Sequence, residues 1–331
     1  MSLTQQLKHG LHSVGSRLPS SVNPTLRWLA VASLIGQSVL IVTGGAVRLT
    51  ASGLGCPTWP QCTPGSLVNT PEMGVHGIIE FGNRTLTIVL AVVAASMLVF
   101  LWNLRKERKD LFWLAFSLLA SIPVQAVIGG ISVLTGLNPW AVSLHFLVSA
   151  ALVVVAMLLV NRTYGRTGRD DHSSRLAGRP VSKTVRQLAG VAALCTAAAV
   201  LLGTMVTGSG PHAGDANAPR NDLNPDLITR VHVLPVYLLV ISSVILLALL
   251  WRRGAKDTLR HGALLLVAGV LFQGVIGYSQ YFTGLPPLLV GLHMAGAAYM
   301  LATATNLADL AFAARRRSAR NAVPHGSATV R

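Results

Sequence analysis

The chain has 331 residues, of which 52% are hydrophobic and only 11% charged, and it carries a net charge of +16. Apolar runs long enough to cross a hydrocarbon layer of about 30 Å exclude a soluble globular class and point to an integral membrane protein. The positive charge does not indicate nucleic-acid binding, because it lies on short connectors and not on a folded domain.

Eight spans are predicted, near 27–47, 75–102, 111–134, 140–161, 187–207, 229–251, 260–282 and 288–312. Residues 1–26 are polar and basic without a short apolar core of their own, so they read as a cytoplasmic tail and not as a cleaved signal. Basic runs at 105–109, 162–186, 252–260 and 315–320 occupy every second connector and the C-terminus. This positive-inside pattern places both termini in the cytoplasm of a cell membrane and turns the loops at 48–74, 135–139, 208–228 and 283–287 outward. The expected organisation is an N-terminal four-helix bundle at 27–161, a basic cytoplasmic linker at 162–186, a C-terminal four-helix bundle at 187–312 and a basic tail at 313–331. The ends, 1–20 and 316–331, are expected to lack order.

In the first outer loop, GLGCPTWPQC places five residues between Cys56 and Cys62, with Pro57 and Pro60 stiffening the interval. Both thiols lie on the oxidising side, where a disulfide would close a small ring worth about 2 kcal/mol. Two free thiols are the alternative, and a zinc site lacks the further ligands it would need. The second span opens with VHGIIEFGNR, the most polar stretch at membrane depth. Glu80 precedes Arg84 by one turn, so the two can form an intrahelical ion pair. A buried carboxylate beside a substrate is equally a proton acceptor, and both readings stand. Cys195, alone in the fifth span, reads as a small apolar residue.

The segment at 125–150 recurs without gaps at 273–298, matching Gln125 to Gln273, Gly129 to Gly277, Thr135 to Thr283, Pro139 to Pro287 and His145 to His293. Four crossings return the chain to its starting side, so the two copies share one orientation and are expected to relate by a pseudo-twofold along the membrane normal. The fold class is therefore all-α, with eight transmembrane helices as two tandem four-helix bundles. His145 and His293 each follow a helix-starting proline by six residues, and His232 and Asn83 fall at similar depth on the sixth and second spans. Ionisable side chains inside apolar helices call for a partner or a cofactor. His232 and His293, on the second and fourth helices of one bundle, could supply both axial ligands of a heme. His212, in a Gly-rich outer loop, reads as a solvated histidine. Arg48, Arg84 and Arg230 near the outer boundary are candidate partners for heme propionates, with interfacial snorkelling as the alternative for Arg48 and Arg230.

These residues resemble the heme A synthases over nearly the whole chain: eight spans in two copies, GGAVRLTASGLGCPTWPQC before a glutamate in the second span, EFGNR, and histidines in LHF and LHM contexts. The resemblance implies oxidation of the C8 methyl of heme O to a formyl group, giving heme A for terminal oxidases. It further implies a heme b held by His232 and His293, a substrate heme held near His145, Glu80 as the catalytic carboxylate and a Cys56 to Cys62 disulfide. Heme O synthase and terminal oxidase assembly factors are the partners it suggests, in a lipid setting and without nucleic acid. One departure stands out: the family pattern EYxHR or EFxHR has histidine where this chain has Asn83, and an amide oxygen is a poor iron ligand. Either His145 alone holds the substrate iron or another residue substitutes. His76 is the alternative ligand, two turns and about 10 Å nearer the outer surface on the same helix face. Two other functions use the same features: a bis-histidine, cytochrome b-like electron carrier, for which Glu80 and Asn83 are superfluous, and a parallel-repeat transporter, which would carry no chromophore.

Overall fold

The structure is a computed structural model and describes residues 18–167, 181–255 and 257–321, with side chains described as far as 313. The readings of the residues at 1–17 and 322–331 as tails, and of the middle of the linker at 168–180, lie outside the described residues. Among the described residues there are eight long helices: α1 (Pro24–Leu49), α2 (Gly74–Phe100), α3 (Lys109–Leu134), α4 (Pro139–Thr163), α5 (Lys183–Ser209), α6 (Pro225–Arg252), α7 (Asp257–Phe282) and α8 (Pro287–Asn321). Each is long and apolar enough to cross a membrane, and the protein is an all-α, multi-pass membrane protein. Side chains such as Ile88, Leu194, Leu238 and Phe272 remain more than half exposed, as a lipid-facing surface requires.

Several helices start earlier than the apolar runs suggest, and the reason is local. Asn23, Asn138 and Asn224 each cap a helix by accepting backbone N–H bonds, and each is followed by a proline at the first helical position. Capping of this kind extends a helix beyond its hydrophobic stretch, which a hydropathy scan does not register. At its far end α8 continues well past the predicted 312, to Asn321.

The helices form two rings of neighbours. In the first, α1 packs on α2 and α4, and α3 on the same two; in the second, α5 packs on α6 and α8, and α7 on the same two. The rings meet where α8 contacts α1 and α4 and where α4 contacts α5. Each ring has its own apolar core, including Leu26, Met97, Leu101, Leu111 and Leu159 in one and Leu246, Leu250, Leu266 and Leu307 in the other. Cys195 lies in the second core, as a small apolar residue would. Both cores occupy the half of the helices remote from the histidines. At the other end, no residue is fully buried between Trp140 and Ser149 on α4, between Pro225 and Leu238 on α6, or between Pro287 and Ala297 on α8. On these three helices the fully buried positions are therefore concentrated at the end remote from the histidines.

The repeated segment folds into the same turn twice. Gly136 and Leu137 both have positive φ (61° and 63°), as do Gly284 and Leu285 (78° and 60°). Leu137 N–H donates to Ser132 O and Leu285 N–H to Gln280 O, both at 2.7 Å. A leucine in the left-handed region is unfavourable unless its surroundings hold it there. Leu137 is held by burial against Ala213 and Ala218 of the long connector between α5 and α6.

That connector joins the two rings at the histidine end. Gly53 N–H donates to Gly214 O at 2.9 Å, His212 Nε2 is 2.8 Å from Leu285 O, and Arg48 donates from Nη2 to Thr207 O at 2.8 Å and from Nε to His212 O. His212 is thus a bridging residue and not a freely solvated one. At the opposite end Asp309 of α8 receives Arg162 Nη1 at 2.6 Å, Arg162 Nη2 at 3.0 Å, Asn161 Nδ2 at 3.0 Å and Thr167 Oγ1 at 2.7 Å. The carboxylate is only slightly exposed, so removing it strands Arg162 in a poorly hydrated site. Asp309→Ala is expected to lower unfolding stability in detergent by about 2–4 kcal/mol; an unchanged denaturation midpoint would show that the two rings do not depend on this clasp.

Candidate functional site

His145, His232 and His293 lie within the first turns of α4, α6 and α8, all at the end remote from the two leucine-rich cores. Each residue is half-buried, yet its Nδ1 is fully buried and lacks a hydrogen-bond partner. The Ala199 carbonyl lies beside His232 but outside hydrogen-bond geometry. A neutral imidazole has one donor and one acceptor nitrogen, and leaving either unused in a buried site is costly. Three such rings at matched depth fit a prosthetic group that takes imidazole as an axial ligand. A multi-ligand ion site is a poorer fit, since among the described residues no three His, Cys, Asp or Glu side chains cluster around a common point.

The three rings are seated in the same way. A Cβ placed on Gly129 would come within 3.2 Å of the His145 ring, one on Gly277 within 3.4 Å of His293, and one on Gly203 within 3.4 Å of His232. Each histidine therefore presents its Cε1 closely to a glycine of a neighbouring helix, a contact that leaves no room for a larger side chain without a shift. Gln125 and Gln273, one turn deeper on the same helices as Gly129 and Gly277, were visible only as repeat matches and carry no role in the sequence reading. Gln125 Nε2 donates to Ser149 Oγ at 2.6 Å and leaves Oε1 without a partner. Gln273 lies over Gly296, where the first copy has Val148, and its Nε2 is unpartnered.

The second span carries a different kind of site. Glu80 is buried, with Oε1 receiving Arg84 Nη2 at 2.6 Å and Nε at 3.2 Å, and Oε2 receiving the Cys56 N–H at 2.6 Å. The intrahelical ion pair is present, and it does more than neutralise itself. Arg84 also donates to the carbonyls of Cys56 (3.1 Å), Thr58 (3.4 Å) and Gln61 (3.5 Å). Cys56 and Cys62 form the disulfide, and the Glu80 and Arg84 side chains clamp the loop that it closes. From this loop the Trp59 ring reaches α3 and covers Gly130 so closely that no Cβ could be placed there.

Asn83 faces α1, 2.7 Å from Thr43 Oγ1. The Thr43 hydroxyl also lies 3.1 Å from Val39 O, and its single proton cannot serve both acceptors. With the amide turned so that Nδ2 donates to Thr43, all three groups are satisfied. His76 is exposed, with Nδ1 2.9 Å from Ser52 Oγ. Of the three candidate propionate partners, Arg48 and Arg84 are engaged with loop carbonyls as described, whereas Arg230 is exposed on α6 two residues before His232. Among the described residues no hydrogen bond or ion pair engages Arg230.

The family described as Cytochrome oxidase assembly protein matches residues 27–222. The chain belongs to this family. The match takes in the disulfide loop, the EFGNR segment and His145. Among curated relatives, a protein named Heme A synthase from Lysinibacillus sphaericus (strain C3-41) is 34% identical over 145 residues, covering 42% of this chain and 46% of the relative. Proteins of the same name from Listeria welshimeri and Bacillus licheniformis are 29% and 28% identical over 139 and 143 residues, covering 40% and 42% of this chain and 45% and 46% of theirs. The chain thus spans about half the length of the curated relatives it matches.

The clamp makes a checkable demand on the loop. Arg84→Gln removes the cation and its bonds to three loop carbonyls, so amide hydrogen exchange at Cys56 and its neighbours is expected to accelerate by about tenfold or more. Exchange at the wild-type rate would mean that the disulfide alone holds the loop.

Proposed function

We propose that the protein is a heme A synthase that oxidises the C8 methyl of heme O to a formyl group. The observation that carries this reading is the set of three half-buried imidazoles near the starts of their helices, each with a buried and unpartnered Nδ1, two in one ring of helices and one in the other. Membership of the cytochrome oxidase assembly family and the printed name of the curated relatives support the same chemistry. The duplicated turn and the matching neighbours of the two rings support tandem bundles related by a pseudo-twofold along the membrane normal. The basic connectors support a cell membrane location with the histidine end outward and both termini cytoplasmic. Heme O synthase and terminal oxidase assembly factors are the proposed partners.

In this reading His232 and His293 would hold a heme b, with Arg230 as a candidate partner for a propionate, and the group would supply electron transfer when bound. His145 holds the iron of the substrate, heme O. Asn83 is turned toward Thr43 and His76 toward Ser52, which favours a single histidine on that iron. Glu80 accepts or relays the protons released as the methyl carbon takes an oxygen from water and gives up four electrons to an external acceptor. The Cys56 N–H bond to Glu80 favours a second role for this residue, in which it acts by positioning the disulfide loop.

Coexpression with a source of heme O, followed by extraction of the bound pigments, tests the proposal. The wild-type protein is expected to yield heme A together with heme B, and recovery of heme O unaltered would leave an electron carrier. Glu80→Gln is expected to retain heme O and heme B while heme A falls by about a hundredfold, the scale of a general base. If slow exchange at the Cys56 amide is lost in parallel, the positioning role is the correct one; full heme A production would remove both roles. Replacing either His232 or His293 by alanine is expected to abolish the low-spin bis-imidazole signal, and its persistence in both variants would overturn the ligand assignment.

A further inference from the structure

We propose that Trp59 is a substrate-binding residue, its indole forming the wall against which the tetrapyrrole held at His145 packs. The inference deepens the reading above and rests on His145 as the substrate ligand. Gly129 and Gly130 are consecutive at the outer end of α3, so their Cα atoms are about 3.8 Å apart. One takes the His145 ring and the other takes the Trp59 ring, each at a distance that excludes or presses on any side chain. The indole and the His145 ring thus rest on consecutive residues of α3, although the indole arrives from a loop some seventy residues away in sequence and closed by a disulfide.

The second copy shows what this position is for. Its Gly277 seats His293 just as Gly129 seats His145, but the residue that follows is Tyr278 where the first copy has Gly130. Both halves thus place an aromatic ring at the residue after the glycine that seats the histidine, one grown from the helix and the other brought in by the loop. Tyr278 is tied to Tyr237 of α6, hydroxyl to hydroxyl at 3.0 Å, so that its ring is fixed between two helices. Trp59 is 36% exposed, and among the described residues its indole N–H has no hydrogen-bond partner. A wall fixed between helices suits a resident group. The disulfide and the Glu80 and Arg84 clamp hold the loop that carries Trp59, so its indole offers a fixed face, and its free N–H can donate to an oxygen on the substrate. The glycine at 130 then has a defined purpose, which is to leave room for an aromatic side chain that the first copy supplies from elsewhere.

The test measures bound pigment independently of turnover. Wild-type, Trp59→Ala, Trp59→Phe, Gly130→Ala and His145→Ala proteins are coexpressed with a heme O source, and the ratio of heme O plus heme A to heme B is measured in each purified protein. Trp59→Ala is expected to lower this ratio by about threefold to tenfold, the range of a lost aromatic packing contact, with heme B content and the disulfide intact. Trp59→Phe should restore most of the ratio. Gly130→Ala, which displaces the indole without removing it, should reproduce the loss and provides the test if Trp59→Ala expresses poorly. Wild-type ratios in both Trp59→Ala and Gly130→Ala, with the ratio lost in His145→Ala, would overturn the proposal alone. A wild-type ratio in His145→Ala would overturn the site reading and the proposal with it.

Discussion

An imidazole inside an apolar helix has nowhere to place its two nitrogens unless another group meets them, because the surrounding helix backbone is already hydrogen-bonded and lipid offers nothing. The architecture of this protein is organised around that constraint. Leucine-rich cores close each ring of helices at one end, and at the other end the helices stay apart enough for three histidines to lie against glycines without a protein partner. A ligand that supplies a metal to these nitrogens would satisfy the rings. The stability of the histidine end and its function are thus two aspects of one requirement.

The two halves meet the constraint unequally. The second has histidines on α6 and α8; the first has His145 alone, with Asn83 engaged by Thr43 and His76 held by Ser52. Divergence extends to the loops, since the first half has a disulfide loop clamped by Glu80 and Arg84, while the corresponding connector of the second spans both halves through Arg48, Gly53 and Leu285. The two halves therefore repeat one turn and one seating of a histidine on a glycine, and differ in their outer loops and in the number of histidines seated this way.

Much of this was legible in the sequence because it is written in side-chain type and spacing. The gapless repeat predicted the duplicated turn, apolar runs predicted eight spans, and two cysteines on the oxidising side with prolines between them predicted a small ring. The Glu80 and Arg84 pair followed from four-residue spacing. What the sequence could not convey were contacts to backbone atoms and to empty space. Arg48 and His212 find acceptors among backbone carbonyls, which carry no residue-type signal, so that the bonds from Arg48 to Thr207 and His212 were not foreseen and His212 was read as a solvated histidine. Trp59 over Gly130 is equally hidden, because a glycine records only that something is close and not what it is.

The central claim is that one chain offers two chemically distinct iron positions, one with two axial histidines and one with a single histidine. Electron paramagnetic resonance of the purified, oxidised protein loaded with heme O and heme b tests this directly, since bis-imidazole iron is low-spin and iron with one imidazole and no second protein ligand is high-spin. The account predicts both signals together, in comparable amounts, with only the high-spin signal lost in His145→Ala. Two low-spin signals would contradict it by showing a second protein ligand in the first half, and a single low-spin signal at full heme loading would contradict it by showing that the first half does not hold iron at all.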